Sequence, residues 1–348
     1  MNILKYICLP GLLVSGDIQT VSAVESKTDK NPNILVILID DAGYNDFGFM
    51  GSKEMQTPNI DALTSEGVVF TDAHVAATVS SPSRACLITG RYGHRFGYEC
   101  NLSDRTNGPP LVEETIAEVF KTNGYRTAAI GKWHLGSRDE QHPNNRGFDL
   151  FYGMKAGGRD YFYNEKKSDR PGDERNLLLN DRQVKFEKYL TDAFSEKAVE
   201  FINESSQPFM MYLAYNAVHT PMQATDEDMA KFEGHPRQKL AAMTYALDRG
   251  VGTVIRGLKD SGKFDNTLIF FLSDNGGATT NQSSNYPLKG FKGNKFEGGH
   301  RVPYFVVWKN GIPAGKPYDG LVSSLDIFAT AIDAASISKT RNRLDGVS

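Results

Sequence analysis

The residues best suited to chemistry stand at the ends of four apolar runs. NILVILIDD ends in Asp40 and Asp41, RTAAIGKWHLG in Lys132 and His134, PFMMYLAYNAVHTP leads to His219, and NTLIFFLSDNGG stops at Asp274 and Asn275. Each residue alone has an ordinary explanation: Asp and Asn beside Gly form turns, a lysine is most often a solvated charge, and a lone histidine is most often a satisfied polar group. Together the endings collect carboxylates, an amide, a lysine and two histidines, a set that independent accidents explain poorly. Asp40, Asp41 and Asp274, with the amide oxygen of Asn275, make an all-oxygen set suited to Ca2+, or less readily Mg2+, and no Cys/His cluster argues for zinc. A cation there would draw in an anionic substrate and polarise a nucleophile.

Two further stretches carry polar chemistry. SSPSRACLITGR, residues 80 to 91, reads as a short helix with a hydroxyl residue and Pro82 at its start and Gly90 at its end. It equally places a nucleophile, Ser80, and Arg84 at the positive end of a helix dipole, where oxyanions bind. PLKGFKGNKFEGGHRVP, residues 287 to 303, is a basic, turn-rich segment. Lys289, Lys292 and Lys295 are its candidates for neutralising charge on a transferred oxyanion, and spacing alone does not choose among them.

The elements that must position these groups follow from the same runs. Strand-length apolar segments alternate with helix-like ones, the pattern of an α/β fold with a large, mostly parallel sheet flanked by helices. Ligands of such sheets bind at the carboxyl ends of the strands, so the four endings are expected to converge on one crevice. The chain has 348 residues, 40% hydrophobic and 23% charged, enough for a sizeable core, and its net charge of -3 argues for no general attraction to nucleic acid. Residues 1–23 carry a lysine, an apolar run too short to span a bilayer, and Val21-Ser22-Ala23, and read as an export signal. Export implies a periplasmic or extracellular protein. With Cys8 removed, Cys86 and Cys100 remain, which is no disulfide framework.

At this point the motifs resemble those of the type I sulfatases, a family within the alkaline-phosphatase-like superfamily. The family signature is Cys or Ser, any residue, Pro-Ser-Arg, three residues, an aliphatic residue and Thr-Gly-Arg, which Ser80 to Arg91 fits with Ile88 where Leu is usual. DDAGYNDFGFMG, TPNIDALTSEGVVFTDAH, GKWHLG, AVHTP, SDNGG and FKGNKFEGGHRVP accompany it in family order, over roughly residues 31 to 348. The resemblance implies a catalytic domain over 31–335 and conversion of Ser80 to formylglycine by a maturation enzyme. Its hydrated form would attack the sulfur of a sulfate ester, supported by Arg84. It implies Ca2+ held by Asp40, Asp41, Asp274 and Asn275. Lys132, His134, His219 and Lys292 would bind sulfate and handle protons, with His219 or Lys292 as acid for the leaving alcohol and a histidine helping the covalent sulfate depart.

The sequence departs from the family pattern twice. Position 80 is Ser where many members have Cys, which implies either maturation by a radical-SAM enzyme, as in bacteria, or a replaced cysteine and an inactive, sugar-binding protein. Residues 336–348 are expected to begin a smaller C-terminal subdomain that family members continue. For substrate, FYGMKAGGRDYFYNEKKSDRPGDER, residues 151 to 175, mixes aromatic and basic residues. His94, Arg95, Arg159, Tyr161 and Arg301 are the candidates to bind a sulfated carbohydrate, since guanidinium groups and aromatic faces suit one. A phosphomonoesterase or phosphonate hydrolase of the same superfamily is the enzymatic rival.

Overall fold

The computed structural model describes residues 31–101 and 108–348; the expected export signal and Cys8 lie outside the described residues. Among the described residues eleven strands form: β1 (Asn33–Ile39), β2 (Val68–Phe70), β3 (Ala73–His74), β4 (Arg126–Lys132), β5 (Leu150–Met154), β6 (Leu178–Leu179), β7 (Arg182–Gln183), β8 (Phe209–Ala214), β9 (Thr267–Ser273), β10 (Tyr304–Val307) and β11 (Val322–Ser323). Nine make one sheet in the order β2-β10-β9-β1-β8-β4-β5-β6-β7, while β3 and β11 pair separately. The central five, β9-β1-β8-β4-β5, are parallel, and β10, β2, β6 and β7 add antiparallel edges.

Burial explains the apolar runs. Every residue of β1, β8 and β9 is buried, so these strands have no solvent face to mark with polar side chains. Alternate residues feed two cores: Leu35, Ile37 and Ile39 of β1 pack on one face, Ile34, Val36 and Leu38 on the other. The helices are α1 (Pro58–Thr64), α2 (Ser80–Thr89), α3 (Ile116–Thr122), α4 (Leu190–Glu204), α5 (Asp226–Ala230), α6 (Gln238–Asp260), α7 (Glu297–His300) and α8 (Asp326–Ala334). In α6, Leu240, Met243, Leu247, Val251, Val254 and Leu258 recur at helical spacing and join α4 in covering the first face. The α2, α3 and α8 helices cover the second. Thr115 and Glu118 close a capping box at the start of α3.

Residues 336–348 lie against the end of α2. Gly90 closes that helix at φ 63, where only glycine is unstrained, and its carbonyl accepts the Asp345 amide at 2.9 Å. A Cβ at residue 90 would come within about 3 Å of Phe328 and Leu344. Among the described residues no helix is long and apolar enough to cross a membrane.

Candidate active site

Strand register assembles the acidic centre. In the parallel β1–β9 pair Ile39 stands opposite Ser273, so the residues that follow, Asp40 and Asp274, emerge side by side. Asp41 takes a left-handed backbone, φ 61, which turns its amide onto Asp274 Oδ1 at 3.2 Å. Its carbonyl accepts from Asn281 Nδ2 and Ser283 Oγ, and its Oδ1 from Asn275 Nδ2 at 2.8 Å. An aspartate held there costs strain of order 1 kcal/mol, and these bonds fix it.

The hydroxyl enters from α2. Ser80 is the first residue of that helix and Val79 stands at the N-cap with no side-chain cap bond, so the serine hydroxyl is not used as the cap that hydroxyl residues commonly provide. Its Oγ lies 3.3 Å from Asp40 Oδ1 and 3.2 Å from Asn275 Oδ1. One turn on, the fully buried Arg84 places Nε and Nη2 on Asp274 Oδ2 at 3.0 and 2.9 Å and Nη1 on the Lys132 carbonyl at 3.1 Å. Burial opposes charge on Arg84, and Asp274 beside it more than restores it.

Every carboxylate of the set meets a cation. Lys132, at the end of β4, reaches Asp40 Oδ2 at 2.5 Å, and Lys292 spans both oxygens of Asp41 at 2.6 and 2.9 Å. Burial raises the Asp40 pKa, but Lys132, His219 and Arg84 together carry it below the usual range. Burial lowers Lys132, which Asp40 only partly offsets, whereas at Lys292 the pull of Asp41, Asp40 and Asp274 outweighs burial and raises it. Of the three candidate lysines in residues 287–303, Lys292 is the one at this centre; Lys289 instead lies over the Phe296 ring.

Two histidines bound the adjoining cleft, a cavity of about 880 Å³ lined by Asn101, His134, Gly157, Gly158, Lys167, Arg175 and His219 among others. His219 Nδ1 lies 2.7 Å from the Thr220 carbonyl, so Nδ1 carries the proton and Nε2, 3.7 Å from Asp41, is left for substrate. His134 holds a left-handed backbone, φ 57, and its Nδ1 has no partner. Burial, then Lys132 and Arg84, hold the His134 imidazole well below the ordinary histidine value, so it is neutral at neutral pH. Gly157 makes room for that ring, since a Cβ at 157 would come within 2.6 Å of it.

The model of the sulfatase family matches residues 32–337. The chain belongs to the sulfatase family. Uncharacterized sulfatase YdeN of Escherichia coli is 35% identical, the match covering 93% of this chain and 66% of that one. Arylsulfatase G of Mus musculus is 36% identical over 90% of this chain and 66% of its own. The chain thus spans just under two thirds of the length of these two sulfatases. A crystal structure of Ps i-CgsB in complex with k-i-k-neocarrahexaose shares the fold with a TM-score of 0.85 and 43% identity, over 91% of this chain and 75% of that one. This sulfatase architecture is the large, mostly parallel sheet with flanking helices that the sequence led us to expect.

Of the sugar-binding candidates, the structure withdraws Tyr161. It is fully buried, its ring stacks on Tyr189 at 5.4 Å and its hydroxyl donates to the Asn216 and His219 carbonyls, so it offers no face to a sugar. Arg159 borders the cleft, but its guanidinium is committed to Asp169 at 2.7 and 2.8 Å and to the carbonyls of Asp160 and Arg175. His94 and Arg95 are exposed beside Glu99 and Asp345, and Arg301 turns to the Thr71 carbonyl; none of the three lines the cleft. Sequence reasoning missed Asn101, Lys167 and Arg175 as cleft residues, although Lys167 and Arg175 lie inside the segment it singled out for substrate.

Proposed function

We propose that this chain hydrolyses sulfate esters of a sulfated carbohydrate through a formylglycine formed at Ser80, with Ca2+ held by Asp40, Asp41, Asp274 and Asn275. The observation that carries the reading is the Ser80 hydroxyl set between Asp40 and Asn275 oxygens, with Arg84 on Asp274 and with His219, which lines the cleft, 3.7 Å from Asp41. The donor set fits a hard divalent ion: four side chains, each at most 2% exposed, that offer three carboxylates and an amide oxygen. A bound Ca2+ supplies a Lewis acid for a sulfuryl oxygen and for the attacking hydroxyl. Formylglycine supplies, as its hydrate, one hydroxyl to attack sulfur and a second whose deprotonation releases sulfate.

The remaining groups divide the work by their charge and position. Lys292 meets charge growing on the sulfuryl oxygens, and its raised pKa keeps it a cation rather than an acid. His219, in its imidazolium form with Nδ1–H held on the Thr220 carbonyl, donates the proton on Nε2 to the leaving alcohol. His134, neutral and unpartnered at Nδ1, is suited to accept the proton from the second hydroxyl. Lys132 and Arg84, both fully buried, position Asp40 and Asp274 rather than reach the sugar.

A carbohydrate suits the cleft, whose size exceeds a single sulfate and whose rim carries Lys167 and Arg175. That Ps i-CgsB was crystallised with a neocarrahexaose supports the same substrate class. Export and a separate maturation enzyme complete the proposal. The test is the mass of the peptide containing residue 80, about two units below serine after oxidation to the aldehyde, together with turnover of aryl sulfate against aryl phosphate. Plain serine with no sulfate turnover, or faster phosphate turnover, refutes it.

A further inference from the structure

A second group of metal-ligating side chains lies among residues that the proposed reaction does not use. His74 of β3 and Glu297 and His300 of α7 bring one ligand atom each to within 4.8 Å of one another. His74 Nε2 is 3.1 Å from Glu297 Oε2, across 223 residues of chain, and the two imidazole rings are 5.1 Å apart. Zinc bonds of about 2.0–2.1 Å in tetrahedral geometry separate ligand atoms by about 3.4 Å. The His74–Glu297 pair is already near that spacing, and the His300 ligand atom lies within 4.8 Å of both.

The backbone beneath these groups is fixed. The Val75 amide donates to the His300 carbonyl at 2.8 Å, the Val302 amide to the Ala73 carbonyl at 3.0 Å, and His74 and Arg301 face each other in an antiparallel bridge. Asp72 stands beside them, its Oδ1 4.0 Å from His74 Nε2, in place to be a fourth ligand. Buried His74 Nδ1 has no hydrogen-bond partner. Arg301 Nη1 lies 3.6 Å from Glu297 and 3.4 Å from Asp72, the cation that a metal would displace while Nε and Nη2 stay on the Thr71 carbonyl.

We propose that His74, Glu297 and His300 form a second metal site, for Zn2+ or a similar late first-row divalent ion, distinct from the oxygen-only centre around Asp40. Two imidazoles and a carboxylate are the donor set such ions select, while Ca2+ disfavours nitrogen. A metal here clips the strand leading into Ser80 to the segment that carries Lys292, which is five residues before Glu297. The rival account is an ion-pair cluster of His74, Glu297 and Arg301 with no metal.

The two accounts separate on His300, which the ion pairs do not need. The full chain, saturated with Ca2+ to fill the oxygen centre, is titrated with Co2+ and read by visible absorption. The site yields the intense bands of a four-coordinate ion at about one Co2+ per chain, displaced by Zn2+. His300→Gln and Glu297→Gln lose those bands, and His94→Gln, at an exposed histidine elsewhere, keeps them. Thermal melts in EDTA establish that each variant folds, and Zn2+ raises the Tm of the parent and of His94→Gln but not of His300→Gln or Glu297→Gln. Weak six-coordinate absorption in the parent, or unchanged bands in folded His300→Gln, overturns the site.

Discussion

Lys292 Nζ rests on both carboxylate oxygens of Asp41, at 2.6 and 2.9 Å, with 251 residues of chain between them. That pairing joins the turn-rich basic segment to the end of β1 and places a permanent cation at the mouth of the acidic centre. Lys292→Ala should therefore lower kcat/KM for an aryl sulfate by about 10²–10³, the usual loss for one oxyanion-stabilising group. Steady-state kinetics on protein with residue 80 converted decides it, and turnover within threefold of the parent removes Lys292 from the mechanism.

The depressed His134 pKa has a stability consequence. Burial, followed by Lys132 and Arg84, disfavours the imidazolium in the folded chain, while the unfolded chain takes up that proton near pH 6.5. Below that value the unfolded state binds more protons, so stability falls as pH drops from 7 toward 5. Urea midpoints across that range should decline, and His134→Gln should flatten part of the decline. A variant whose slope matches the parent's would show that His134 protonates freely in the fold.

Arg159 is expected to matter for folding more than for sugar binding. Its buried pair with Asp169 leaves an uncompensated charge if either partner is removed, at a cost of about 3–5 kcal/mol. Asp169→Ala should thus lower the urea midpoint sharply. Equilibrium denaturation with a midpoint near the parent's argues that water enters and solvates the remaining guanidinium.

Lys167 gives the complementary case, exposed on the cleft rim. Lys167→Ala should leave small aryl sulfates within twofold and raise KM for a sulfated oligosaccharide by roughly two- to fivefold, the worth of one solvent-exposed charge contact. Equal effects on both substrates would place the sugar elsewhere.

The two described cysteines should differ in reactivity. Burial raises the Cys86 pKa to about 11, with the Gly93 amide on its sulfur, while Cys100 is exposed. At pH 8 the Cys86 thiolate is scarce, so iodoacetamide should label the Cys100 peptide and spare Cys86 until urea unfolds the chain. Peptide mapping reads both, and equal labelling in the folded state would mean that α2 opens readily.

The strand-end residues were legible because a fully buried parallel strand is written as an unbroken apolar run, so its first charged residue marks the edge of the core. Asp40, Lys132 and Asp274 stand out for that reason. The Ser80 hydroxyl was legible as a residue type, but its place inside the first turn of α2, with Val79 as cap, depends on φ and ψ that composition does not encode. The aromatic and basic segment of residues 151–175 borders the cleft through Arg159, Lys167 and Arg175, while Tyr161 is enclosed. Which of Tyr161, Arg159 and Lys167 turns inward is decided by pairing that spacing does not show: Tyr161 stacks on Tyr189, outside the segment, and Arg159 pairs with Asp169, ten residues on. Two-residue strands such as β6 and β7 have no period to read.

The burial of α2 sets an order of events in time. Ser80 is 1% exposed, and all ten residues of its helix are enclosed. Asn275, just after β9, accepts from the Ser80 hydroxyl and the Gly293 amide donates to the Thr78 carbonyl, and both segments leave the ribosome some two hundred residues after Ser80 does. An enzyme that oxidises this serine must therefore act on the nascent or unfolded polypeptide, in the interval between synthesis of residue 80 and arrival of the chain's last third. Under the proposed formylglycine reading, the fraction of active molecules would then be set by a race between that enzyme and folding, and slowing collapse, rather than stabilising the finished protein, would raise the yield.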